Sequence, residues 1–377
     1  MHRLKFWTAK ENFLLIEVLS DGVNGLLISL DSENHLSFQR SWHNGSWEDI
    51  AGWLGLNRLI KNIVVAADAS LAYTALVPVR LQRENFKEEL GATELEHRLA
   101  QEIGRAFTGC RVDAGRALQA DDLDIVLVNS RVTDFRVDGH RVLHPIGFKA
   151  HQVEAMLELI LTRRPILSDV KHFLKNRSNF FFTESTRAEL IALRKTEQPP
   201  FQILRLDYDG SALAILNRKE EVARRPVAWS PGQLLQIIER EWKVSPAVAR
   251  ALYETYAARD MGAASLKFFG KLLDEAIAPL WKEIRQVRSR IYVETPLPLP
   301  FALPIRRNAL ELHYPPLAAI LNRSGFSIDF AEWPWQTPLL FRKLAPFLAF
   351  YYDRSDSTVN RWLRRHLNWL GSPISHV

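Results

Sequence analysis

The chain has 377 residues, of which 47% are hydrophobic and 24% charged, a composition typical of a globular protein with two or three cores. The net charge of +6 favours an anionic partner, either nucleic acid or an acidic membrane surface. The lone Cys110 excludes an internal disulfide framework, and no apolar run reaches the ~20 residues of a membrane-spanning helix. With no secretory signal either, we expect a cytoplasmic protein that is at most attached to the inner face of the cell membrane.

The first quarter of the chain alternates between strand and helix patterns. The apolar runs Phe13–Val18 and Gly25–Leu30 and the alternating segment His35–Arg40 predict three strands. A helix is predicted after Ser46, and the continuous apolar run Asn62–Ala67 is typical of a buried parallel strand. Three strands, a helix and a buried strand are the opening of a ribonuclease-H-like half.

A different pattern then interrupts this alternation. Leu76–Leu81 is predicted as a strand, and Thr93 with Glu96 forms a capping box at the start of a helix. Two further strands are predicted at Leu123–Val128 and Thr133–Val137. We interpret this segment as an insertion into the main fold.

The insertion closes with a sharply punctuated unit. Asp138 and Gly139 predict a tight turn, Arg141–Leu143 a short return strand, and Pro145 a stop. A helix is predicted to begin near His151. Its apolar face would hold Val153, Met156, Leu157 and Ile160.

The run Val137-Asp138-Gly139, followed by Pro145-Ile146-Gly147, resembles the inserted 1C subdomain of the FtsA family of actin-like bacterial cell-division proteins. His144 departs from that family's pattern, in which Asn is usual. The resemblance implies an α/β protein with a duplicated ribonuclease-H-like actin fold and an inserted 1C (SHS2-type) subdomain. It also implies the order strand, helix, strand, strand, helix for the insertion.

The second half of the chain repeats the opening pattern. Ile166–Leu174 and Ser185–Leu193 are each a strand or a helix. Three strands follow at Phe201–Tyr208, Ser211–Leu216 and Glu220–Val227, as at the start of the chain. This repetition supports a duplicated architecture.

Helices dominate the rest of the chain. Ser230 and Ser245 each precede a Pro and predict two helix starts, which resemble a shortened 2B lobe of the FtsA family. A long helix is predicted over Leu266–Arg290. The aromatic region Phe341–Tyr352 is predicted to pack in the core as a Pro-broken helix.

The resemblance divides the chain into subdomains. They are 1A with its first part at 1–75 and its return at 164–198, the inserted 1C at 76–163, 2A at 199–228, the 2B-like lobe at 229–265, elements of 2A and the closing part of 1A at 266–352, and a linker with a C-terminal amphipathic helix at 353–377.

Two hairpins are the candidate phosphate loops, because actin-like ATPases cradle phosphates there with glycine amides. The first, Glu17–Gly22, lacks the Asp-x-Gly pattern of the family. The second keeps Asp207, Gly210 and Ser211 as a partial nucleotide-binding match, unless Asp207 only forms the turn. The adenosine segment Ile291–Pro300 contains no glycine. ATP with Mg²⁺ is therefore the candidate cofactor, bound weakly or not at all, and no catalytic residue is predicted.

The end of the chain has the pattern of an amphipathic helix that lies in a membrane interface. Apolar residues recur at helical spacing opposite a basic face, and FtsA proteins end in a similar helix. The alternative is a last helix that packs on the body of the protein. The predicted membrane-binding residues are Val359, Arg361, Trp362, Leu363, Arg364, Arg365, Leu367, Trp369 and Leu370.

Other constellations are weaker candidates. No metal site is predicted, because the following residues lack the spacing of a zinc motif: His140, His144, His151 and Glu154. Cys110 has no partner that would make it a nucleophile and is interpreted as a small apolar residue. Trp333 and Trp335 could stack on nucleic acid, but core packing is the preferred interpretation.

The resemblance implies a scaffold that polymerises with itself and tethers FtsZ, or another divisome protein, to anionic inner-membrane lipid. Nucleic acid is not an expected partner. One alternative is a scaffold similar to PilM of type IV pilus assembly, which usually lacks an amphipathic tail. Another is a sugar-kinase-like phosphotransferase, which would need the missing phosphate glycines and a catalytic carboxylate.

Overall fold

The computed structural model describes residues 10–354, 360 and 362, except for residues 21, 57–59, 61, 175–179, 208–209, 219–221, 285–288, 296–304, 308–309 and 335–336. The chain forms two compact units. The first unit comprises Met1–Ile191, Phe326–Glu332 and Lys343–Val377, and the second comprises Ala192–Gly325 and Trp333–Arg342. The subdomain boundaries predicted from the sequence are finer than this division and stay predictions.

The described strands lie between Glu11 and Ile328. In chain order they are β1 (Glu11–Val18), β2 (Val23–Leu30), β3 (His35–Gly45), β4 (Asn62–Ala67), β5 (Ala72–Gln82), β6 (Ile125–Val137), β7 (His140–Val142), β8 (Gln152–Arg163), β9 (Phe180–Glu184), β10 (Phe201–Leu206), β11 (Ser211–Leu216), β12 (Val222–Val227), β13 (Arg290–Glu294), β14 (Ile305–Arg307), β15 (Leu310–His313) and β16 (Ser327–Ile328).

Helices alternate with these strands. They are α1 (Trp47–Leu56), α2 (Ala92–Ala117), α3 (Arg164–Phe173), α4 (Ser185–Leu193), α5 (Pro231–Trp242), α6 (Pro246–Ala257), α7 (Ala263–Ile284), α8 (Leu317–Arg323) and α9 (Thr337–Arg354). Pro begins α5 and α6, as predicted, since its missing N–H is not needed in the first turn of a helix.

The first unit contains a mixed sheet in the order β16-β3-β2-β1-β4-β9. β1 pairs antiparallel with β2 and parallel with β4, and β4 pairs parallel with β9. The middle of the central strand β1 is buried on both faces of the sheet, because Phe13, Leu14 and Ile16 are at most 1% exposed. Such a continuous apolar run is typical of a strand with both sheet faces buried.

The second unit repeats this arrangement in the order β12-β11-β10-β13-β15-β14. β10 pairs antiparallel with β11 and parallel with β13, as β1 does with β2 and β4. An antiparallel meander of three strands that continues into two parallel strands therefore occurs twice. The duplicated ribonuclease-H-like arrangement predicted from the sequence is confirmed.

The insertion, residues 72–163, forms a separate antiparallel sheet in the order β5-β8-β6-β7. Pairing between β5 and β8 runs from Ala72 opposite Thr162 to Gln82 opposite Gln152. The predicted Asp138-Gly139 turn joins β6 to β7, and both residues have positive φ, as a two-residue hairpin turn requires. The helix α2 packs on this sheet through Leu95, Leu99 and other buried residues at helical spacing.

The prediction of a helix that begins near His151 is wrong, because this segment is the strand β8. Val153, Leu157 and Leu161 on β8 face the core of the insertion, with a period of two along the strand. Ile160 lies instead in the core of the first unit's main sheet. Because both faces of this end of β8 are buried, its apolar residues also fit a helical spacing. The insertion order is therefore strand, helix, strand, strand, strand.

Smaller predictions in the insertion also need correction. The strands predicted at Leu123–Val128 and Thr133–Val137 are one strand, β6, with two register irregularities. The capping box of Thr93 and Glu96 does not start α2, because Gly91 is the N-cap residue and makes no side-chain capping bond. Local sequence patterns find these elements but not their ends.

Elsewhere, Ile166–Leu174 and Ser185–Leu193 correspond to the helices α3 and α4, and the intervening strand β9 was not predicted. The helix predicted over Leu266–Arg290 corresponds to α7 (Ala263–Ile284), residues 285–288 lie outside the described residues, and Arg290 belongs to the strand β13 instead. Phe341–Tyr352 lies within α9, and its Phe347 is fully buried, so the predicted core packing is confirmed.

Replacing Gly115 by alanine is expected to lower the free energy of unfolding by about 1–3 kcal/mol. A Cβ atom on Gly115 would lie 2.9 Å from the backbone oxygen of Ala120, and backbone cannot move aside as a flexible side chain does. Gly104 on the same helix has open space around it, so its replacement by alanine is expected to stabilise by about 0.5–1 kcal/mol. Urea unfolding of both variants is the measurement. If the two substitutions changed the free energy of unfolding in the same direction, the prediction would be contradicted.

Candidate functional sites

The structure brings the three predicted nucleotide-binding residues together at the turn between β10 and β11. The backbone N–H of Asp207 donates to the carbonyl of Gly210 at 3.0 Å and closes the hairpin. Ser211, the first residue of β11, is buried, and its hydroxyl has no hydrogen-bond partner among the described residues. Space is open around the Cα of Gly210.

The carboxylate of Asp207 is already engaged by a cation of the chain. Arg342 on α9 donates from Nη1 to Oδ1 of Asp207 at 2.6 Å. Mg²⁺ binds through carboxylate oxygens and water, and a carboxylate paired with arginine is a poor ligand because its charge is neutralised. Asp207 therefore does not fit the role of a magnesium ligand. Across the described parts of the chain, no group of three or more His, Cys, Asp or Glu side chains could hold a metal ion.

The first hairpin offers little to a phosphate either. The backbone N–H of Leu19 donates to the carbonyl of Gly22 at 2.9 Å, so this amide is used within the turn. The carboxylate of Glu17 accepts a hydrogen bond from Asn24 at 3.0 Å. In the adenosine segment, Arg290–Glu294 is the strand β13, and residues 296–300 lie outside the described residues.

A buried cluster of charges joins the insertion to the rest of the first unit. Glu158 on β8 is 1% exposed and accepts from Nε of Arg131 at 2.9 Å and from Nε of Arg187 at 2.8 Å. Arg131 is its neighbour on β6, whereas Arg187 comes from α4. Sequence reasoning missed this cluster, although an acidic residue inside the apolar run of β8 was a visible signal.

The charges of the two arginines decide the ionisation of Glu158. Burial acts to raise its pKa, but the positive charges and hydrogen bonds of Arg131 and Arg187 outweigh burial and bring the pKa to about 2. The carboxylate therefore stays ionised over the whole physiological pH range. The cluster is a structural connection between β6, β8 and α4.

Acidification is expected to weaken the fold through Glu158. The pKa of Glu158 falls from 4.5 to about 2 on folding. The ionised carboxylate therefore contributes fully to the free energy of unfolding above about pH 4.5, and this contribution is lost as the pH falls towards 2. At ~1.4 kcal/mol per pKa unit, the loss is about 3 kcal/mol. Urea unfolding of the wild type and of Glu158→Gln between pH 7 and 2 should show the difference between the two proteins shrinking by that amount. Glu154→Gln, which removes a half-buried carboxylate from the same strand, is the control and should not reproduce this difference.

The described part of the C-terminal segment is docked on the insertion. Asn360 is 1% exposed, and its side-chain Oδ1 accepts from the N–H of Val132 at 2.8 Å. Its Nδ2 donates to the carbonyl of Val132 at 3.1 Å. Trp362 is half-buried against the core of the insertion. The first turn of the predicted tail helix therefore contacts the body of the protein.

The other predicted membrane-binding residues lie outside the described residues. They are Val359, Arg361, Leu363, Arg364, Arg365, Leu367, Trp369 and Leu370. Among the helices that the structure describes, none is both long and apolar enough to cross a bilayer. The membrane-binding role of the tail stays a prediction.

The two sheets define the class of this protein: it has the actin-like ATPase fold, with an insertion in the first unit. No family model matches the sequence, and no curated protein matches it. The assignment rests on the strand order, which occurs twice in the chain.

Several solved structures are similar to the chain. A structure described as a PilM-PilN type IV pilus biogenesis complex has 14% sequence identity and a TM-score of 0.46, and the match covers 94% of this chain and 98% of the other. The cytoplasmic domain of EpsL, an inner-membrane component of the type II secretion system of Vibrio cholerae, has 12% identity and a TM-score of 0.37, with 90% and 95% covered. The ethanolamine utilization protein EutJ of Carboxydothermus hydrogenoformans has 8% identity and a TM-score of 0.36, with 91% and 90% covered.

Proposed function

We propose that this protein is an actin-like scaffold that works by binding other proteins at the inner face of the cell membrane, without turning over a nucleotide. The ion pair between Asp207 and Arg342 is the observation that carries the proposal. It neutralises the carboxylate of the second phosphate hairpin, and the first hairpin lacks the Asp-x-Gly pattern. What remains of the actin-like fold is two sheets and an added lobe, whose surfaces suit the binding of other proteins.

The preferred version places the scaffold at the membrane through a protein partner. Asn360 and Trp362 favour this version, because both are packed on the insertion rather than exposed towards a lipid surface. The protein partner would belong to an assembly of the pilus or secretion type, the class named in the descriptions of the PilM-PilN and EpsL structures.

The second version is direct anchoring of the FtsA type, in which the tail binds anionic lipid and polymerisation multiplies a weak contact. The basic, amphipathic pattern of the tail favours it, since each Arg near anionic lipid contributes ~1 kcal/mol. Trp362, Leu363, Leu367 and Trp369 would be the apolar anchors. FtsZ or another divisome protein would then be the partner.

Co-sedimentation with anionic vesicles separates the two versions. We expect neither the full chain nor a version ending at Tyr352 to pellet with vesicles of phosphatidylglycerol and phosphatidylethanolamine. If only the full chain pellets, and charged replacements of Trp362 and Leu363 abolish pelleting, the tail is the anchor and the second version holds.

The absence of nucleotide turnover is tested separately, by calorimetric titration with MgATP and an assay for released phosphate. We expect neither binding at millimolar MgATP nor phosphate release. Replacing Arg342 by alanine frees the carboxylate of Asp207 and serves as the sensitised variant. Turnover of ATP with a small acceptor would contradict the proposal and support the phosphotransferase alternative.

A further inference from the structure

Three arginines cross one face of the insertion's sheet in a single row. Arg80 on β5 lies opposite Glu154 on β8, and Glu154 lies opposite Arg136 on β6. Arg136 in turn lies opposite Arg141 on β7. Residues directly opposite each other on antiparallel strands point to the same face of a sheet. Val153, the neighbour of Glu154 on β8, is buried in the core that α2 covers, so the arginine row points away from that core.

The cations of this row are far more exposed than the acids beside them. The side chains of Arg80, Arg136 and Arg141 are 74, 55 and 71% exposed. The acids that they contact, at 2.7 to 3.6 Å, are Glu154 and Asp134, whose side chains are only 28 and 27% exposed. The acids therefore hold the arginines in place, whereas the guanidinium groups present positive charge to the solvent. Such a surface is complementary to an anionic partner.

The arginine row ends at a free edge of the sheet. β7 is the last strand in the order β5-β8-β6-β7, and the two-residue turn makes Val137 and His140 a hydrogen-bonded pair. Hydrogen-bonded and non-hydrogen-bonded pairs alternate along an antiparallel ladder, so the backbone N–H and C=O of Arg141 point away from β6. No other described strand pairs with them. Unpaired edge groups of this kind are a template for a further strand.

Apolar surface adjoins the same edge. Leu143, the residue after β7, is 88% exposed, more than any other large apolar side chain in the described parts of the chain. A cavity of about 450 Å³ lies beside it, between residues 132–135 of β6 and residues 141–143. Asn360 binds both the N–H and the C=O of Val132, so this end of the cavity is already closed to strand pairing. An exposed leucine beside a cavity favours an occupant that brings apolar side chains.

We propose that this surface binds an extended, acidic segment of a partner protein, which adds to β7 as a fifth strand of the insertion's sheet. The backbone of the segment pairs with Arg141, its carboxylates lie over the arginine row, and its apolar side chains enter the cavity beside Leu143. A lipid surface or a nucleic acid would also attract arginine, but neither supplies the alternating donor and acceptor that a strand edge requires. The inference rests on the proposed function, binding of other proteins, and adds the chemistry of one partner.

Fluorescence anisotropy with a labelled peptide of about ten residues, in which glutamate alternates with valine, tests this surface, because alternation places the two residue types on opposite sides of a strand. The full chain should bind this peptide and should not bind the same peptide with lysine in place of glutamate. Replacing Arg136 and Arg141 together by glutamine should weaken binding about tenfold, since two charge-assisted contacts are lost. Leu143→Asn should weaken it about threefold.

Two matched controls separate this surface from a general effect of charge. Replacing Arg105 and Arg116 together by glutamine removes two arginines that are 74 and 78% exposed, but from α2. Leu123→Asn changes another exposed leucine of the insertion, which precedes the opposite end of β6. Both controls should bind the peptide as the wild type does. Equal weakening by the controls, or no binding by the wild type, overturns the proposal. Binding of a DNA duplex or of phosphatidylglycerol vesicles in place of the peptide also overturns it, and assigns the arginine row to that ligand.

Amide hydrogen exchange tests the strand addition itself. In the free protein the amide of Arg141 should exchange faster than those of His140 and Val142, because only these two point towards β6. Saturating peptide should slow exchange at Arg141 about tenfold or more and leave the amides of α2 unchanged. Peptide binding without protection of Arg141 overturns the pairing. Such a failure is distinct from a failure of the proposed function, which would appear as nucleotide turnover.

Discussion

Replacing Glu158 by alanine is expected to lower the free energy of unfolding by about 3–5 kcal/mol. The substitution leaves the buried Arg187 and the partly buried Arg131 without the carboxylate that both contact at less than 3 Å. An uncompensated buried charge cannot be hydrated, and Nη1 of Arg187 is already buried without a hydrogen-bond partner in the described structure. Urea unfolding followed by circular dichroism measures the loss.

Two controls identify the cause of that loss. Replacing Glu158 by leucine and Arg187 by methionine together should restore much of the stability, because apolar side chains of similar volume avoid the cost of burying charge. Glu154→Ala removes a half-buried carboxylate of the same strand, whose ion-pair partner Arg80 is 74% exposed, and should change stability by only about 0–1 kcal/mol. A Glu158→Ala protein that is as stable as the wild type would show that the cluster does not hold the insertion in place.

The second large effect is expected at Phe347, whose replacement by alanine should cost about 3–5 kcal/mol. Its ring is fully buried on α9 and lies 5.0 Å from the ring of Phe13 on β1, in an edge-to-face arrangement. The ring centroids of Phe326 and Tyr351 lie 5.2 and 5.8 Å from that of Phe347. Large aromatic neighbours cannot collapse into the space that the ring leaves, so the cavity persists.

Phe330 is the matched control for this substitution. It is a phenylalanine of the same unit but is 39% exposed, so replacement by alanine removes little buried surface and should cost less than about 1 kcal/mol. Thermal unfolding of both variants gives the comparison. Equal losses at Phe347 and Phe330 would mean that the aromatic cluster does not bind α9 to the main sheet.

The duplication was predictable because it depends on buried strands, whose apolar runs are visible in any sequence. Phe13–Val18 and Phe201–Leu206 both mark a central strand, and both are followed by the antiparallel strands of the same meander. The turn at Asp138 and Gly139 was predictable for another local reason, since few residue pairs tolerate two positive φ angles in succession.

The strand β8 was not predictable from its own residues. Its apolar positions satisfy both a period of two and a helical period, and only the neighbouring strands β5 and β6 decide between them. The pairing of Arg342 with Asp207 joins residues that are far apart in the chain. The same holds for the contact between Asn360 and Val132. Such contacts require the tertiary structure and leave no local pattern.

The pairing of β5 with β8 has a consequence for how this protein acquires new properties. Ala72 and Thr162, where the insertion departs from the main fold and returns to it, are direct partners, so the two ends of the lobe are about 5 Å apart. A lobe whose two ends are adjacent can be gained, lost or exchanged as one unit without changing the strand order of the main sheet. Natural selection can therefore alter the lobe while the duplicated body evolves on its own.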